Sequence, residues 1–533
     1  MKGDSQAAVK ALEEGSLVLP EQHAPVPSPA SHDTRTIRGR AYVTAALLLV
    51  MVLVSMEQTI TSTAMPSIIG ELHGLEHYSW VASIYLLACT VSMPLYGRLA
   101  DALGRKKVVL AAIALFCVAS VLAAASRTMG QLILFRGLQG LGAGGIMPVV
   151  LTILGDIFTL EERARIQGLF SAVWGVAALA GPALGALLVH TLGWRSVFYV
   201  NLPFGLLGLV VLVWKYHDRE KPHSTDLDLP GVALLGISCG AVLTLVSRLG
   251  PGGWAWPAAA ALAALALGAG LLFVRTERRA AHPVLPPELL ADRAIGPALL
   301  ASALLGVCFL SLDTYVPLYV QGAKGGGAAA AAAVVTPVML AWATSGVFAA
   351  PLVLRWGFRK TALLGCALST HGFAGLLACA LLDAPRWVMT AVLLSCGLGF
   401  GPASMAQLLA AQDAVTWQRR GIVTSGITFF RTMGGAVGIG VMGMLFNVLT
   451  APQMDRLRQT GVNPAELMDP HGAAKLSPEV LRQASETIGR GLTWVFGAML
   501  LAAAAQSAVT LLLPPGKRTQ PLRPGEALEA MAG

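Results

Sequence analysis

The chain has 533 residues, of which 55% are hydrophobic and only 13% charged, with a formal net charge of +9. Soluble domains carry roughly 25% charged residues, so this composition excludes an ordinary multidomain soluble protein. The basic residues alternate between loops and form no single patch, which excludes a nucleic-acid-binding surface.

The apolar residues fall into blocks about 18–25 residues long, the length that crosses a hydrocarbon core roughly 30 Å thick. A polar, Pro-rich segment over 1–40 precedes the first block and is predicted to be a disordered cytosolic tail. We therefore predict an all-α polytopic membrane protein. Its fourteen predicted spans are 41–64, 79–100, 108–125, 130–155, 166–190, 197–215, 229–248, 254–275, 296–320, 329–353, 361–383, 387–411, 421–449 and 490–513.

Lys and Arg concentrate in alternate loops, and the positive-inside rule then places both termini in the cytoplasm. The stretch 99–106 recurs weakly as 352–360, and many secondary transporters build their pathway from repeated halves. The predicted organisation is a tail over 1–40, a six-helix bundle over 41–215, a linker with two inserted transmembrane helices over 216–280, a second six-helix bundle over 281–513 that includes an outer loop over 450–489, and a cytosolic tail over 514–533.

The inner loop after the second span combines glycine, one acid and several cations. Gly104 allows a tight turn, while Asp101 lies at the inner end of the span with cations following it. Such a cluster can form charge-assisted bonds to neighbouring helix ends and hold the inner mouth shut. The alternative is a basic loop that serves topology alone. The gating prediction covers Gly97, Asp101, Gly104, Arg105 and Lys106.

Among the ionisable residues inside apolar spans four stand out, because a charge there costs roughly 2.5–3.5 kcal/mol on insertion scales and therefore marks a functional candidate. Glu57 on span 1 is the predicted proton carrier, and the alternative is permanent pairing with an arginine. Arg136 on span 4 can snorkel and be structural, or it can lie near Glu57. Asp313 on span 9 is a candidate for cation binding or coupling. Arg431 on span 13 lines the cavity or pairs with a carboxylate.

On span 5, Gly181 and Gly185 are spaced i, i+4, so another helix can approach that face closely, and Pro182 adds a rigid point. Generic helix packing also explains the glycines alone. A pocket for apolar cargo needs aromatic surface with few polar anchors. The candidate cavity residues, each of which could equally face lipid or the packed bundle, are Gln58, Trp80, Tyr85, Trp174, Tyr315, Tyr319, Phe429, Phe430 and Arg431.

Residues 97–107 (GRLADALGRKK) resemble the signature loop of the major facilitator superfamily. Residues 134–143 (LFRGLQGLGA) look like its span 4 motif, and 181–185 (GPALG) resembles the motif of its antiporters. Three further stretches resemble motifs of the fourteen-helix drug:proton antiporter family: 56–66 (MEQTITSTAMP), 194–205 (WRSVFYVNLPFG) and 429–435 (FFRTMGG).

The resemblance implies the major facilitator fold, with two pseudo-symmetric six-helix bundles and two inserted helices. It also implies proton coupling through Arg136 and Glu57, and an inter-bundle hinge at Gly181, Pro182 and Gly185. Three departures stand out. Glu57 replaces the usual Asp, Ala186 replaces the last glycine of the span 5 motif, and an alanine run over 328–333 replaces a more varied stretch.

We therefore expect a proton-coupled exporter of small hydrophobic or cationic compounds, located in a bacterial inner membrane and moving cargo by alternating access. The seven cysteines have no metal-ligand spacing, and no phosphate-binding loop or nucleophile constellation occurs, so we expect no metal, cofactor or enzyme activity. Expected partners are the cargo, protons and lipids, with a periplasmic adaptor and outer-membrane channel left open. The alternatives are a dedicated exporter of one metabolite such as a siderophore, antibiotic or lipid precursor, a nutrient symporter and a non-transporting sensor.

Overall fold

A computed structural model describes residues 37–72, 78–158, 160–218, 228–247, 256–280, 283–326, 328–416, 419–459 and 478–516. Every regular element in these ranges is an α-helix. The helices are α1 (Ile37–Leu72), α2 (Tyr78–Leu103), α3 (Arg105–Ala124), α4 (Met129–Ile157), α5 (Leu160–Leu192), α6 (Ser196–Tyr199), α7 (Asn201–Lys215), α8 (Leu229–Ser247), α9 (Trp256–Glu277), α10 (Pro287–Ala291), α11 (Ile295–Gly322), α12 (Ala328–Leu381), α13 (Arg386–Asp413), α14 (Arg420–Gln459) and α15 (Pro478–Thr510).

Each of the fourteen predicted spans overlaps a helix, with two of them on α12. Twelve segments of the described chain are long and apolar enough to cross a membrane. The other two predicted spans correspond to α5 and to α8, whose apolar part, Pro230–Val246, is shorter. The all-helical, polytopic prediction is confirmed. The crossing of the membrane by all fourteen helices and the cytoplasmic termini stay predictions.

The predicted outer loop over 450–489 is helical at both ends. The helix α14 continues to Gln459, and α15 begins at Pro478. The start of α15 is polar, and its Glu486 lies 3.7 Å from Arg482 and 3.5 Å from Arg490, both one turn away. Such i, i+4 pairs stabilise an exposed helix, which therefore extends beyond the apolar block that set the predicted boundary. The predicted tails over 1–40 and 514–533 lie largely outside the described residues.

The weak sequence repeat has a structural counterpart. Gly104, between α2 and α3, has φ 94° and ψ 145°, and Gly357, at a break inside α12, has φ 78° and ψ 177°. Both values lie where residues with a Cβ are strained, so both loops require glycine for the same turn. The two inner loops therefore share one backbone conformation.

The described residues from Val43 onward form one compact unit. Within this unit, α5 packs against α12 and α2 packs against α14, so these pairs connect the first half of the chain with the second. The inserted helices α8 and α9 pack against each other, and α8 also contacts α2 and α14. The division into two six-helix bundles stays a prediction, but these contacts are where the halves meet.

A polar contact lies at the predicted outer end of the first half. The Glu71 carboxylate accepts hydrogen bonds from Arg195 Nη1 and Trp194 Nε1, both at 2.7 Å. The hydrogen bond from the Arg195 guanidinium, followed by that from Trp194, lowers the pKa of Glu71 below its ordinary value. Arg195 also donates to the Ser126 carbonyl oxygen at 3.3 Å. This contact joins the end of α1 to the segments before α4 and α6.

Candidate functional site

Glu57 lies in the middle of a buried polar cluster in the first half. Its side chain has no exposed surface, and Arg136 Nη1 of α4 contacts its Oε1 at 2.5 Å. Thr61 Oγ1, one turn further along α1, donates to the same oxygen at 2.8 Å, and Asn201 Nδ2 of α7 donates to Oε2 at 2.5 Å. The carboxylate therefore has three donors from three helices. A buried charge needs such partners, because an isolated one is too costly.

Arg136 extends the cluster to two more helices. Its Nη1 also donates to Gln139 Oε1 at 2.6 Å, and Gln139 Nε2 donates to Ser120 Oγ of α3 at 2.8 Å. Its guanidinium carbon lies 4.2 Å from the centre of the Tyr85 ring on α2, a cation–π distance. Arg136 and Glu57 are thus in direct contact, and the proton coupling implied for them stays a prediction. The prediction of Tyr85 as a cavity residue is wrong, because its side chain is 2% exposed and stacks on Arg136.

Four residues of this cluster were not predicted: Thr61, Ser120, Gln139 and Asn201. Thr61, Gln139 and Asn201 stand inside quoted motifs, and for Gln139 and Asn201 a polar side chain in an apolar span was the available signal, because buried polar groups need hydrogen-bond partners. Ser120 and Thr61 gave no signal, since hydroxyls in helices commonly bond the carbonyl one turn back.

A second cluster, here called the inner latch, connects the halves at their predicted cytoplasmic ends. Asp101 at the end of α2 accepts the backbone N–H groups of Gly421 at 3.2 Å and Ile422 at 3.0 Å, in the first turn of α14. A carboxylate stabilises a helix amino end, where N–H groups lack partners and the dipole is positive. A Cβ on Gly421 would lie 2.5 Å from Asp101 Oδ1, so this approach requires glycine.

Arg105 completes the inner latch. It lies 3.1 Å from Asp101 Oδ1 and 2.9 Å from Asp156 Oδ2 of α4, and all three side chains are nearly completely buried. Arg420 of α14 also donates to the Gly155 carbonyl oxygen at 3.1 Å. Removing one member would leave a buried charge without its partner, which costs about 3–5 kcal/mol. Asp156 and Gly421 were not predicted, because nothing in the sequence links them to the loop.

The other loop residues take different positions. A Cβ on Gly97 would lie 2.6 Å from Ser425 Cβ, so Gly97 allows α2 and α14 to touch just above the inner latch. Lys106 faces the first half, where its Nζ donates to the Val213 carbonyl oxygen of α7 at 2.7 Å. The predicted loop residues are thus divided between contacts across the halves and contacts within one half.

The glycine motif of α5 contacts the first half. A Cβ on Gly185 would overlap Thr63 and lie 3.1 Å from the Ile60 carbonyl oxygen, both on α1. Gly181 is buried one turn earlier, and the side chain of Pro182 lies outside the described residues. The resemblance implies that this motif lies between the two bundles, but Gly185 contacts α1 of its own half. The contact of α5 with the second half is made with α12.

Several predicted cavity residues are instead packed inside the second half. Tyr315 is buried and donates to the Ile439 carbonyl oxygen at 2.5 Å, and the Tyr319 ring lies 5.2 Å from that of Phe496. Phe429 is 4% exposed and packs edge-on against Phe430. For Tyr315, Tyr319 and Phe429 the cavity prediction is wrong, because helix packing decides which face a ring occupies. Trp80 is half-buried, and the side chains of Gln58 and Trp174 lie outside the described residues.

An aromatic group that was not predicted lies on α11, α12 and α13. The Phe309 ring is 4.5 Å from Trp342 and 5.9 Å from Phe400 between centroids, and Phe309 and Trp342 are half-buried. Asp313 lies one turn beyond Phe309 on the same face of α11 and is exposed. Arg431 is half-buried, and within the described residues its side chain has no hydrogen bond or ion pair.

Comparisons with known proteins agree with this architecture. The chain is 33% identical over 412 residues to the multidrug transporter protein MdtP of Bacillus subtilis, covering 76% of this chain and 75% of the relative. It is 30% identical over 445 residues to the puromycin resistance protein pur8 of Streptomyces alboniger, covering 82% and 86%. Multidrug resistance protein 3 of Bacillus subtilis is 27% identical over 496 residues, covering 90% and 96%.

A solved structure of a bacterial homologue of the iron transporter ferroportin, in an outward-facing state, covers 88% of this chain and 98% of its own with a TM-score of 0.60. At 13% identity, that likeness concerns the fold alone. The family profile of the Major Facilitator Superfamily matches residues 47–439, which include the Glu57 cluster and the inner latch. The chain is thus a multi-pass membrane transporter that belongs to the Major Facilitator Superfamily.

Proposed function

We propose that this transporter is a proton-driven antiporter that exports small hydrophobic or cationic compounds from a bacterial cytoplasm by alternating access. The observation that carries the proposal is the fully buried ion pair between Glu57 and Arg136. The Glu57 carboxylate is bonded by three helices and belongs to a cluster that spans five, so it is placed to couple its own protonation to the arrangement of those helices.

The coupling follows from charge balance. With Glu57 ionised, its charge and that of Arg136 cancel within the cluster. A proton on Glu57 leaves the Arg136 guanidinium buried without a counter-charge, and breaking a buried pair in this way costs about 3–5 kcal/mol. The protonated cluster therefore favours a rearrangement that brings Arg136 another partner or water. Proton entry from outside and release inside would then return the transporter for a new load of cargo.

The inner latch supplies the second element of alternating access. Asp101 of the first half holds the amino end of α14 of the second half, so the two halves are joined at the cytoplasmic side while these hydrogen bonds persist. Cargo from the cytoplasm can enter only after the latch opens. Protonation and cargo binding would act on the same equilibrium between the latched and the open arrangement.

The aromatic group supports an apolar or cationic cargo. The half-buried rings of Phe309 and Trp342 offer flat apolar surface, and the exposed Asp313 supplies a negative charge on the same face of α11. Aromatic faces and a carboxylate together attract a flat organic cation. The names of the relatives, a multidrug transporter, a multidrug resistance protein and a puromycin resistance protein, agree with this cargo class.

The test is transport into inverted membrane vesicles that contain the protein, with an imposed pH gradient, acid inside. We expect uptake of cationic dyes such as ethidium to be abolished by an uncoupler and to be competed by several unrelated hydrophobic compounds. Gradient-driven uptake of one compound alone from a broad panel would favour a dedicated metabolite exporter instead. No gradient-dependent movement of any panel member, in vesicles that contain correctly inserted protein, would refute the proposal.

A further inference from the structure

Asp218, in the segment that follows α7, lies beside the loop that contains the inner latch. Its Oδ1 and Oδ2 accept the backbone N–H of Lys106 at 3.0 Å and 3.3 Å. Lys106 is the second residue of α3, and Gly104, which precedes that helix, has no side chain to cap it. Asp218 therefore supplies from 112 residues away the carboxylate cap that the start of α3 lacks.

The contact is reciprocal. Lys106 Nζ donates to the Val213 carbonyl oxygen in the last turn of α7, where carbonyl groups lack helical partners and the dipole is negative. The amino end of α3 and the carboxyl end of α7 thus each receive a charge of the favourable sign. Burial, followed by the charges of Asp156 and Asp218, raises the pKa of the Tyr216 phenol well above its ordinary value, so the phenol stays neutral.

Gly104 makes this approach possible. Its φ of 94° reverses the chain between α2 and α3, and a Cβ there would lie 2.5 Å from Asp218 Oδ2. The glycine is thus required both by the turn and by the carboxylate beside it. Asp101 and Asp218 bind on opposite sides of this turn, Asp101 to α14 of the second half and Asp218 to the first half.

At the corresponding turn in the second half, the described residues include no such acid. There a Cβ on Gly357 would face the Pro515 carbonyl oxygen, and Arg359 Nε donates to the Leu513 carbonyl oxygen at 2.5 Å. Leu354 stands three residues before this glycine, where Asp101 stands before Gly104. The turn is thus present in both halves, and within the described residues the two carboxylates flank the Gly104 turn alone.

We propose that Asp218 is a positioning residue of the inner latch: it fixes the start of α3 and the Gly104 turn so that Asp101 is presented to the amino end of α14. It contacts neither the proposed cargo surface nor Glu57. This inference rests on the proposed function, in which opening and closing of the latch is part of transport. It predicts that loss of the Asp218 carboxylate opens the latch even though Asp101 is intact.

The experiment measures opening directly. Ser425, buried where α14 touches Gly97, is replaced by Cys as a reporter, and inverted vesicles are treated with a membrane-impermeant maleimide. Mass spectrometry follows labelling of the peptide that contains residue 425. The seven native cysteines are buried, and reading out this one peptide keeps any reaction at them separate from the reporter signal. The variants are Asp218→Asn, Asp101→Asn and the double variant. Asp292→Asn is the matched control, since Asp292 caps the start of α11 through the Ala294 and Ile295 N–H groups.

We expect Asp218→Asn to label about fivefold faster than the parent, because Asn keeps a capping oxygen but loses the negative charge that stabilises a helix amino end by about 1 kcal/mol, and Asp292→Asn to label at the parent rate. The double variant should label no faster than Asp101→Asn, because Asp218 acts through Asp101. Parent-like labelling of Asp218→Asn, or equal acceleration by Asp292→Asn, would overturn the inference alone. If Asp101→Asn also labels at the parent rate, Asp101 does not hold the halves together, and the part of the proposed function that relies on the inner latch is refuted.

Discussion

The Glu57→Gln substitution tests proton coupling at its centre. Gln keeps the shape of the side chain but cannot ionise, so it fixes the cluster in the equivalent of its protonated state. The Arg136 guanidinium, 2.5 Å from the carboxylate oxygen in the wild type, then lies buried without a counter-charge. The expected cost to the arrangement described above is about 3–5 kcal/mol, at least a hundredfold change in its population.

The consequence for transport is the loss of coupling to the gradient. Each pH unit across the membrane supplies about 1.4 kcal/mol per proton, enough for a tenfold cargo gradient at one proton per cargo. Wild-type vesicles should therefore accumulate a cationic dye up to about tenfold under a one-unit gradient at one proton per cargo. The Glu57→Gln protein should accumulate it to a ratio of about one, while still allowing downhill movement.

The conservative variant and the uncoupler make the assay decisive. Glu57→Asp retains a titratable group and should keep partial uphill transport, with its shorter side chain reaching Arg136 and Asn201 less well. Uphill transport by Glu57→Gln at the wild-type level, still abolished by an uncoupler, would refute the reasoning. The coupling proton would then travel elsewhere, and Asp313 would be the next carboxylate to test.

Three further predictions concern helix packing, pH and cargo. Gly185→Leu should slow turnover about tenfold, because it separates α5 from α1, while it changes dye affinity less than about twofold. Transport and equilibrium binding measure the two quantities. The control Gly497→Leu should not slow turnover, because a Cβ at Gly497 meets nothing within 4 Å. Thermal unfolding from pH 7 to 3 should show wild type more stable than Glu71→Gln by a constant amount above the ordinary Glu pKa of about 4.3. That difference should vanish as the pH falls below this value, because a carboxylate whose pKa is lowered by folding stabilises the protein only while it is ionised. Trp342→Ala should raise the KM for a cationic aromatic dye about tenfold, whereas the same change at Trp494, which is 67% exposed, should leave that KM unchanged.

The candidate site was only partly predictable, and the outcome differed between charged and aromatic residues. Glu57, Arg136 and Asp101 were identified because a charge in or next to an apolar span is costly and therefore conspicuous in a sequence. Tyr85, Tyr315 and Tyr319 were assigned to a cavity and are instead packed between helices. An aromatic ring suits lipid, core and cavity alike, so its residue type does not reveal its surroundings.

The sequence by itself determined that the chain is helical and polytopic, where its apolar segments lie, and which ionisable residues stand in or beside them. These properties are local, because hydrophobicity and helix formation depend on residues close together in the chain. The tertiary structure decided which of those residues meet. Arg136 is 79 residues from Glu57, Asn201 is 144 residues from it, and Gly421 is 320 residues from Asp101. Such pairings depend on how helices cross and which faces they present, and no single segment encodes that arrangement.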